Sequence, residues 1–152
     1  MELAGLDPAD PGTAAALLEL QRRAYGVEAE LIGSDGIPPL HETLEELQTC
    51  GETFLGALVG GELAGAISWR LEGGTLDIHR LAVDPGFFRR GIGAALVRAA
   101  LAAAPAAARA IVQTGAANEP ARALYLAQGF EQRDEIVVGD GIRVARFEKR
   151  LC

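Results

Sequence analysis

Behind an Asp-Pro-Gly start, the segment "DPGTAAALLELQRRAY" (10–25) repeats its apolar residues at helical spacing, which predicts a helix. The preceding "ELAGL" (2–6) predicts a short first strand. "EAELIGSDGIPPL" (28–40) carries two glycines and the Pro38-Pro39 pair, so it reads as a broken, loop-like crossing. "HETLEELQTC" (41–50) predicts a short acidic helix that ends before Gly51. At Thr53 the period changes. "TFLGALVGGELAGAISWRLEGG" is two apolar runs split by Gly60-Gly61, a hairpin signal. "GTLDIHRLAVD" (74–84) alternates and then turns continuously apolar, as a further strand does.

The rest alternates helix and strand. "GIGAALVRAALAAA" (91–104) predicts a helix stopped by Pro105, and "RAIVQTG" (109–115) a buried strand. "NEPARALYLAQG" (118–129) predicts a helix with Asn118 as cap candidate, Pro120 in its first turn and Gly129 just past its end. "FEQRDEIVVGDGIRVARFEKRL" (130–151) predicts two strands turning at Gly139-Asp140-Gly141. This order implies a mixed α/β domain with one sheet. The unit from 75 to 115 is expected to be a right-handed parallel crossover.

Composition narrows the class. With 152 residues, 49% hydrophobic and 23% charged, the chain fits one soluble globular domain with a real core. The apolar stretch at 92–108 is broken by Arg98 and Pro105, so no membrane span is expected. The N-terminus lacks the basic and apolar regions of a signal peptide, which points to the cytoplasm. A net charge of −7 argues against nucleic acid as a partner. It suits a cationic substrate, or plain solubility. Cys50 and Cys152 form no disulfide framework, and His41 and His79 no ligand spacing, so no metal is expected.

One stretch demands chemistry. "VDPGFFRRGIGAAL" (83–96) sets a glycine-rich, arginine-bearing loop at the mouth of a helix. Helix N-termini carry unpaired N–H groups and partial positive charge. Gly91 and Gly93 let a phosphate approach that backbone, while Arg89 and Arg90 add local positive charge. The other reading is a tight turn whose glycines serve packing. It is neither a Walker loop, lacking Gly-Lys-Ser/Thr, nor the dinucleotide fingerprint, which would need glycine where Leu96 stands.

A strand ending "RLAVDP" followed by "GFFRRGIGAAL" resembles the acetyl-CoA segment of the GNAT superfamily of N-acetyltransferases. "NEPARALYLAQGF" resembles that family's second, downstream segment. Phe88 departs from the pattern, which prefers Gln or Arg there. The resemblance covers roughly 53 to 150 and implies a GNAT-like acyl-CoA N-acyltransferase fold, a single domain with a mixed, mostly antiparallel sheet flanked by helices and splayed at two central parallel strands.

It also implies roles. Leu81, Ala82 and Val83 would run along the pantetheine arm, with a main-chain N–H aimed at the thioester carbonyl. Phe88, Arg89, Arg90, Gly91, Ile92, Gly93 and Ala94 would hold the pyrophosphate of acetyl-CoA. Asn118 would touch the co-substrate, and Tyr125 would sit near the sulfur as general acid. The base stays open between Asp77, His79 two residues on and hence on the same strand face, and no dedicated base. Gln113 stands where ribosomal-protein acetyltransferases of the family carry a glutamate, which counts against that subclass. Glu28, Glu30, Asp35, Glu42 and Glu45 would place negative charge near the amine entrance, or form a solvated face; Trp69 is expected to cover the sheet.

The implied function is acetyl transfer to a primary amine of a small molecule, direct within a ternary complex because no nucleophile motif exists. A non-catalytic acetyl-CoA-binding module, an acceptor that is a protein N-terminus or lysine, a nucleotide-binding protein and a longer acyl group stay open. A homodimer is expected from family habit alone.

Overall fold

The computed structural model of the chain describes residues 1–33, 41–139 and 141–151. Strand β1 (Glu2–Leu6) leads into helix α1 (Pro11–Ile32). Asp10 caps α1: its carboxylate accepts from the Thr13 amide at 2.9 Å, and Pro11 fills the first turn, where no donor is needed. The break expected at Glu28 is absent. α1 continues through Gly26 to Ile32 and stops at Gly33, whose φ of 70° makes a left-handed cap. Packing explains the difference: Tyr25 is buried and Glu28 half-buried against the sheet, which outweighs the cost of about 1 kcal/mol for glycine in a helix. Asp35, Asp140 and Cys152 lie outside the described residues.

Helix α2 (Leu44–Gln48) is shorter than its sequence suggests, because Thr43 and Glu46 form a reciprocal capping box that sets its start. The hairpin β2 (Thr53–Val59) and β3 (Glu62–Glu72) turns at Gly60-Gly61 as expected. Then follow β4 (Thr75–Val83), α3 (Ile92–Ala102), β5 (Arg109–Gly115), α4 (Glu119–Ala127), β6 (Glu131–Val138) and β7 (Ile142–Arg150). The last turn of α3 gives way at Ala103, two residues before Pro105.

The seven strands form one sheet in the order β1-β2-β3-β4-β5-β7-β6, antiparallel except for the parallel pair β4/β5. That pair is joined only at Thr75↔Arg109, Leu76↔Ala110 and Asp77↔Ile111, after which the strands part. Helices α1 and α2 cover one face, over a core that includes Leu17, Leu20, Leu47, Phe54, Ala66 and Ala82. Helices α3 and α4 cover the other, over Ile67, Leu76, Ile78, Leu96, Val112 and Phe147. Trp69 is buried in this second core, as a sheet-covering residue should be.

A register shift opposite Ser68/Trp69 puts a β-bulge at His79/Arg80 of β4. It reverses the strand's parity. Before it, Ile78 faces the α3/α4 core; beyond it, Leu81 does, while Arg80 and Ala82 turn toward α1.

Candidate active site

The parting of β4 from β5 leaves backbone groups with no strand opposite them. The Asp84 amide bonds to the Ala64 carbonyl of β3, so alternation assigns the Ala82 amide to β3 and directs the Leu81 and Val83 amides into the gap. The Ala116 amide bonds to the Arg143 carbonyl of β7, so the Gln113 and Gly115 amides face the gap from β5. Helix α1 meets these groups at the open end. The Tyr25 phenol takes a hydrogen bond from the Leu81 amide. The Glu28 carboxylate accepts from the Thr114 hydroxyl at 3.2 Å and from the Gly115 amide at 3.4 Å.

Two adjoining cavities occupy the gap. The outer one, about 510 Å³, runs between the C-terminal half of α1 and the mouths of α3 and α4. Leu81, Val83, Phe88, Arg89, Gly91, Ile92, Gly93, Ala94 and Asn118 line it. The inner one, about 390 Å³, is lined by Tyr125, Thr114, Gln113, His79 and the β6–β7 turn. Tyr25, Glu28, Leu81, Asn118 and Ala121 line both, so the two form one continuous cleft.

The mouth of α3 makes two different uses of glycine. Gly91 caps the helix at φ 75°, and a Cβ there would meet open space. A Cβ on Gly93 would come within 3.2 Å of the Leu124 side chain, so this glycine serves the close approach of α3 to α4. Arg89 holds φ 65°, a left-handed conformation rare outside glycine. Phe88 is 46% exposed and forms part of the outer wall. Two residues of the predicted set lie elsewhere. Arg90 stacks over the Phe87 ring at 5.2 Å and does not line the cleft. Ala82 turns its side chain to the α1 core and its amide to β3, because the bulge has reversed parity.

Asn118 does double duty. Its side-chain oxygen accepts from the Ala121 amide as the α4 cap, and it borders both cavities. Tyr125 is 3% exposed, with Phe130 and Phe147 each 5.7 Å away between ring centroids. Burial, then the Glu28 charge, pushes its phenol well above the usual range, so it stays a proton donor at neutral pH. The Tyr25 phenol is raised for the same two leading reasons.

Asp77 and His79 are neighbours, with His79 Nε2 3.2 Å from Asp77 Oδ2. Only His79 reaches the cleft; Asp77 lines a third cavity, of about 520 Å³, on the opposite side of the gap. His79, Val112 and Gln113 border both spaces, so the gap in the sheet opens to both faces.

Sequence reasoning missed the network behind His79. His79 Nδ1 lies 3.4 Å from Glu52 Oε2. Arg80 donates to Glu52 at 2.7 and 3.1 Å, to Gln21 at 2.8 Å and to both carboxylate oxygens of Glu42. Burial alone would push the guanidinium down, but Glu52 and Glu42 hold it well above its ordinary value. Glu42 is thereby locked inside the protein and does not charge an amine entrance, whereas Glu30 and Glu45 are exposed. Among the described members of that acidic set, only Glu28 lines the cleft. Among the described residues, no group of three or more His, Cys, Asp or Glu is placed to hold a metal ion.

Comparison with known proteins agrees with this geometry. The model of the acetyltransferase (GNAT) family matches residues 14–130. UPF0157 protein YqkA of Bacillus subtilis is 37% identical over 131 residues, which is 86% of this chain but only 38% of that protein. N-alpha-acetyltransferase RimI of Mycobacterium tuberculosis is 32% identical over 129 residues, 81% of this chain and 80% of that one. The crystal structure of PaiA N-acetyltransferase from Thermoplasma acidophilum, in complex with coenzyme A, superposes with a TM-score of 0.73 at 18% identity, covering 99% of each chain.

Proposed function

Since the chain belongs to the GNAT acetyltransferase family, we propose that it moves an acetyl group from acetyl-CoA to the primary amine of a small molecule. The observation that carries this is the cleft: β4 and β5 pair at only three positions, and beyond them a channel runs from the α3 mouth to Tyr125. The family membership and a fold neighbour complexed with coenzyme A support acetyl-CoA as the donor.

The residues fit that donor. The α3 N-terminus with Gly91, Arg89 and its neighbours offers main-chain donors and positive charge for a pyrophosphate. The Val83 amide faces the gap, where an extended chain bearing amides could pair with β4 as a strand would. The bound thioester supplies an activated acyl carbon. A bond forms from the amine nitrogen to that carbon, the carbon–sulfur bond breaks, and the sulfur leaves as a thiol with a proton from Tyr125. His79, which reaches the cleft and lies between Asp77 and Glu52, is placed to take the proton the amine loses.

Calorimetric titration with acetyl-CoA, CoA and NAD tests the reading. Saturable acetyl-CoA binding with none for NAD is expected, followed by free-thiol release when an amine is added. Absence of acetyl-CoA binding would overturn it. RimI is named an N-alpha-acetyltransferase, and a fold neighbour from Escherichia coli is named a ribosomal-protein-S18-alanine N-acetyltransferase. This chain carries Gln113 at the gap, and an amide cannot accept a proton, so we favour the small amine.

A further inference from the structure

We propose that the acceptor is an amine that also carries a carboxylate, held in the cavity on the far side of the gap by Asp77 at one end and by Arg109 and Arg133 at the other. This rests on the acetyltransferase reading and names the substrate class of that site.

The charges of this cavity are sorted by strand. On β4, next to the gap, stand Asp77 and His79. On β5, β7 and β6 stand Arg109, Arg146 and Arg133, with Asp134 and Glu148. Arg146 is spent: its guanidinium holds Asp134 through two bonds of 2.9 and 3.0 Å. Glu148 is then shared by two guanidiniums, Arg109 at 3.0 Å and Arg133 at 3.6 Å. Arg133 also meets Glu131, which is exposed at the rim and outside the lining. Within the lining, two arginines face one carboxylate. With Glu131 counted that end balances, but Glu131 is 73% exposed and its pairing with Arg133 is weak, so a ligand carboxylate can take its place, while Asp77 gives the other end a negative charge.

Geometry sets the size of the ligand. Asp77, Ile111 and Glu148 stand in one row across β4, β5 and β7. Two strand spacings separate Asp77 from Glu148, about 9.5 Å, and arginine side chains shorten that reach. An ammonium beside Asp77 and a carboxylate a few carbons away satisfy both ends. A diamine would bring its second cation against the arginines. A plain alkylamine would lay its tail on charged side chains. The ammonium end is the end that opens to the cleft through His79 and Gln113, which is where the nitrogen must arrive.

The test compares 4-aminobutyrate with butylamine, which differ in the carboxylate. Equilibrium titration of the full chain, with CoA present, should give at least about tenfold tighter binding of 4-aminobutyrate, the size expected of a charge-assisted contact. In turnover, kcat/KM should favour it by a similar factor, through KM. In the Arg109→Gln/Arg133→Gln variant, both residues being half-exposed, the ratio between the two amines should fall toward one. Equal binding of the two amines, a ratio unmoved by the variant, or preference for a peptide amide with a free N-terminus would overturn the proposal. Failure of acetyl-CoA to bind would instead sink the acetyltransferase reading, and the amine titration without CoA would still decide the charge preference.

Discussion

The Tyr125 phenol sits where burial and chemistry coincide: its ring is packed between Phe130 and Phe147, and its oxygen is kept protonated by that burial and by Glu28. Tyr125→Phe keeps the ring and removes the proton. Thiol release should fall by about a hundredfold, with calorimetric affinity for acetyl-CoA nearly unchanged. An unchanged rate would remove Tyr125 from the mechanism. Arg80 carries a different burden, joining two nearly buried carboxylates. Arg80→Met strands both, and the urea midpoint should reveal a loss of about 3–5 kcal/mol. Glu52 adds a pH signature. Burial pushes its carboxyl up, but Arg80 and Ser68 outweigh that and hold it below its ordinary value of 4.5. A depressed folded value stabilises above the unfolded one, and that contribution is lost as pH falls from about 4.5 through the folded value. Glu52→Gln should therefore flatten stability against pH below that point. Tyr125, Asn118 and the Gly91 mouth were legible in the sequence because each belongs to a local pattern. Arg80 was not, since its partners Gln21, Glu42 and Glu52 stand 59, 38 and 28 residues away.

Among the elements, β4 decides how the site is assembled, and its bulge could have been read. In "TLDIHRLAV" polar and apolar residues alternate until two polar ones, His79 and Arg80, fall side by side. That slip is the mark of a parity change, and without it Ala82 was expected beside Leu81 and Val83 along the cleft. α1 was cut short for a related reason. Gly26 and the acidic run after it weaken local propensity, while the gap that Tyr25 and Glu28 cover exists only in the fold. α3 is seated against β3 through a position with no room: a Cβ on Gly65 would come within 2.8 Å of Ile92 and 3.2 Å of the Ala82 carbonyl. Ile92 opens α3, so the helix mouth depends on this contact. Gly65→Ala should cost about 1–3 kcal/mol in denaturant unfolding and weaken acetyl-CoA binding as the mouth shifts. Full stability with unchanged affinity would show that α3 repacks freely.

For the molecule as a whole, the sheet is two half-sheets, β1 to β4 and β5 to β7, sewn together by three rungs and bridged at the open end by α1, through Tyr25 to β4 and Glu28 to β5. The strand order within each half was legible from the hairpins. The shortness of the seam was not, because nothing in the apolar pattern of "RAIVQTG" says where pairing stops. That seam makes the ligand a structural member. Without it, the halves should open against each other more readily than either melts, and amide hydrogen exchange should be faster at Leu81, Val83, Gln113 and Gly115 than in the β2–β3 ladder. With acetyl-CoA bound, protection should rise on both sides of the gap at once. A substrate that mends the sheet it crosses would let the enzyme gain cooperativity only while it holds its donor, and loosen again when the thiol departs.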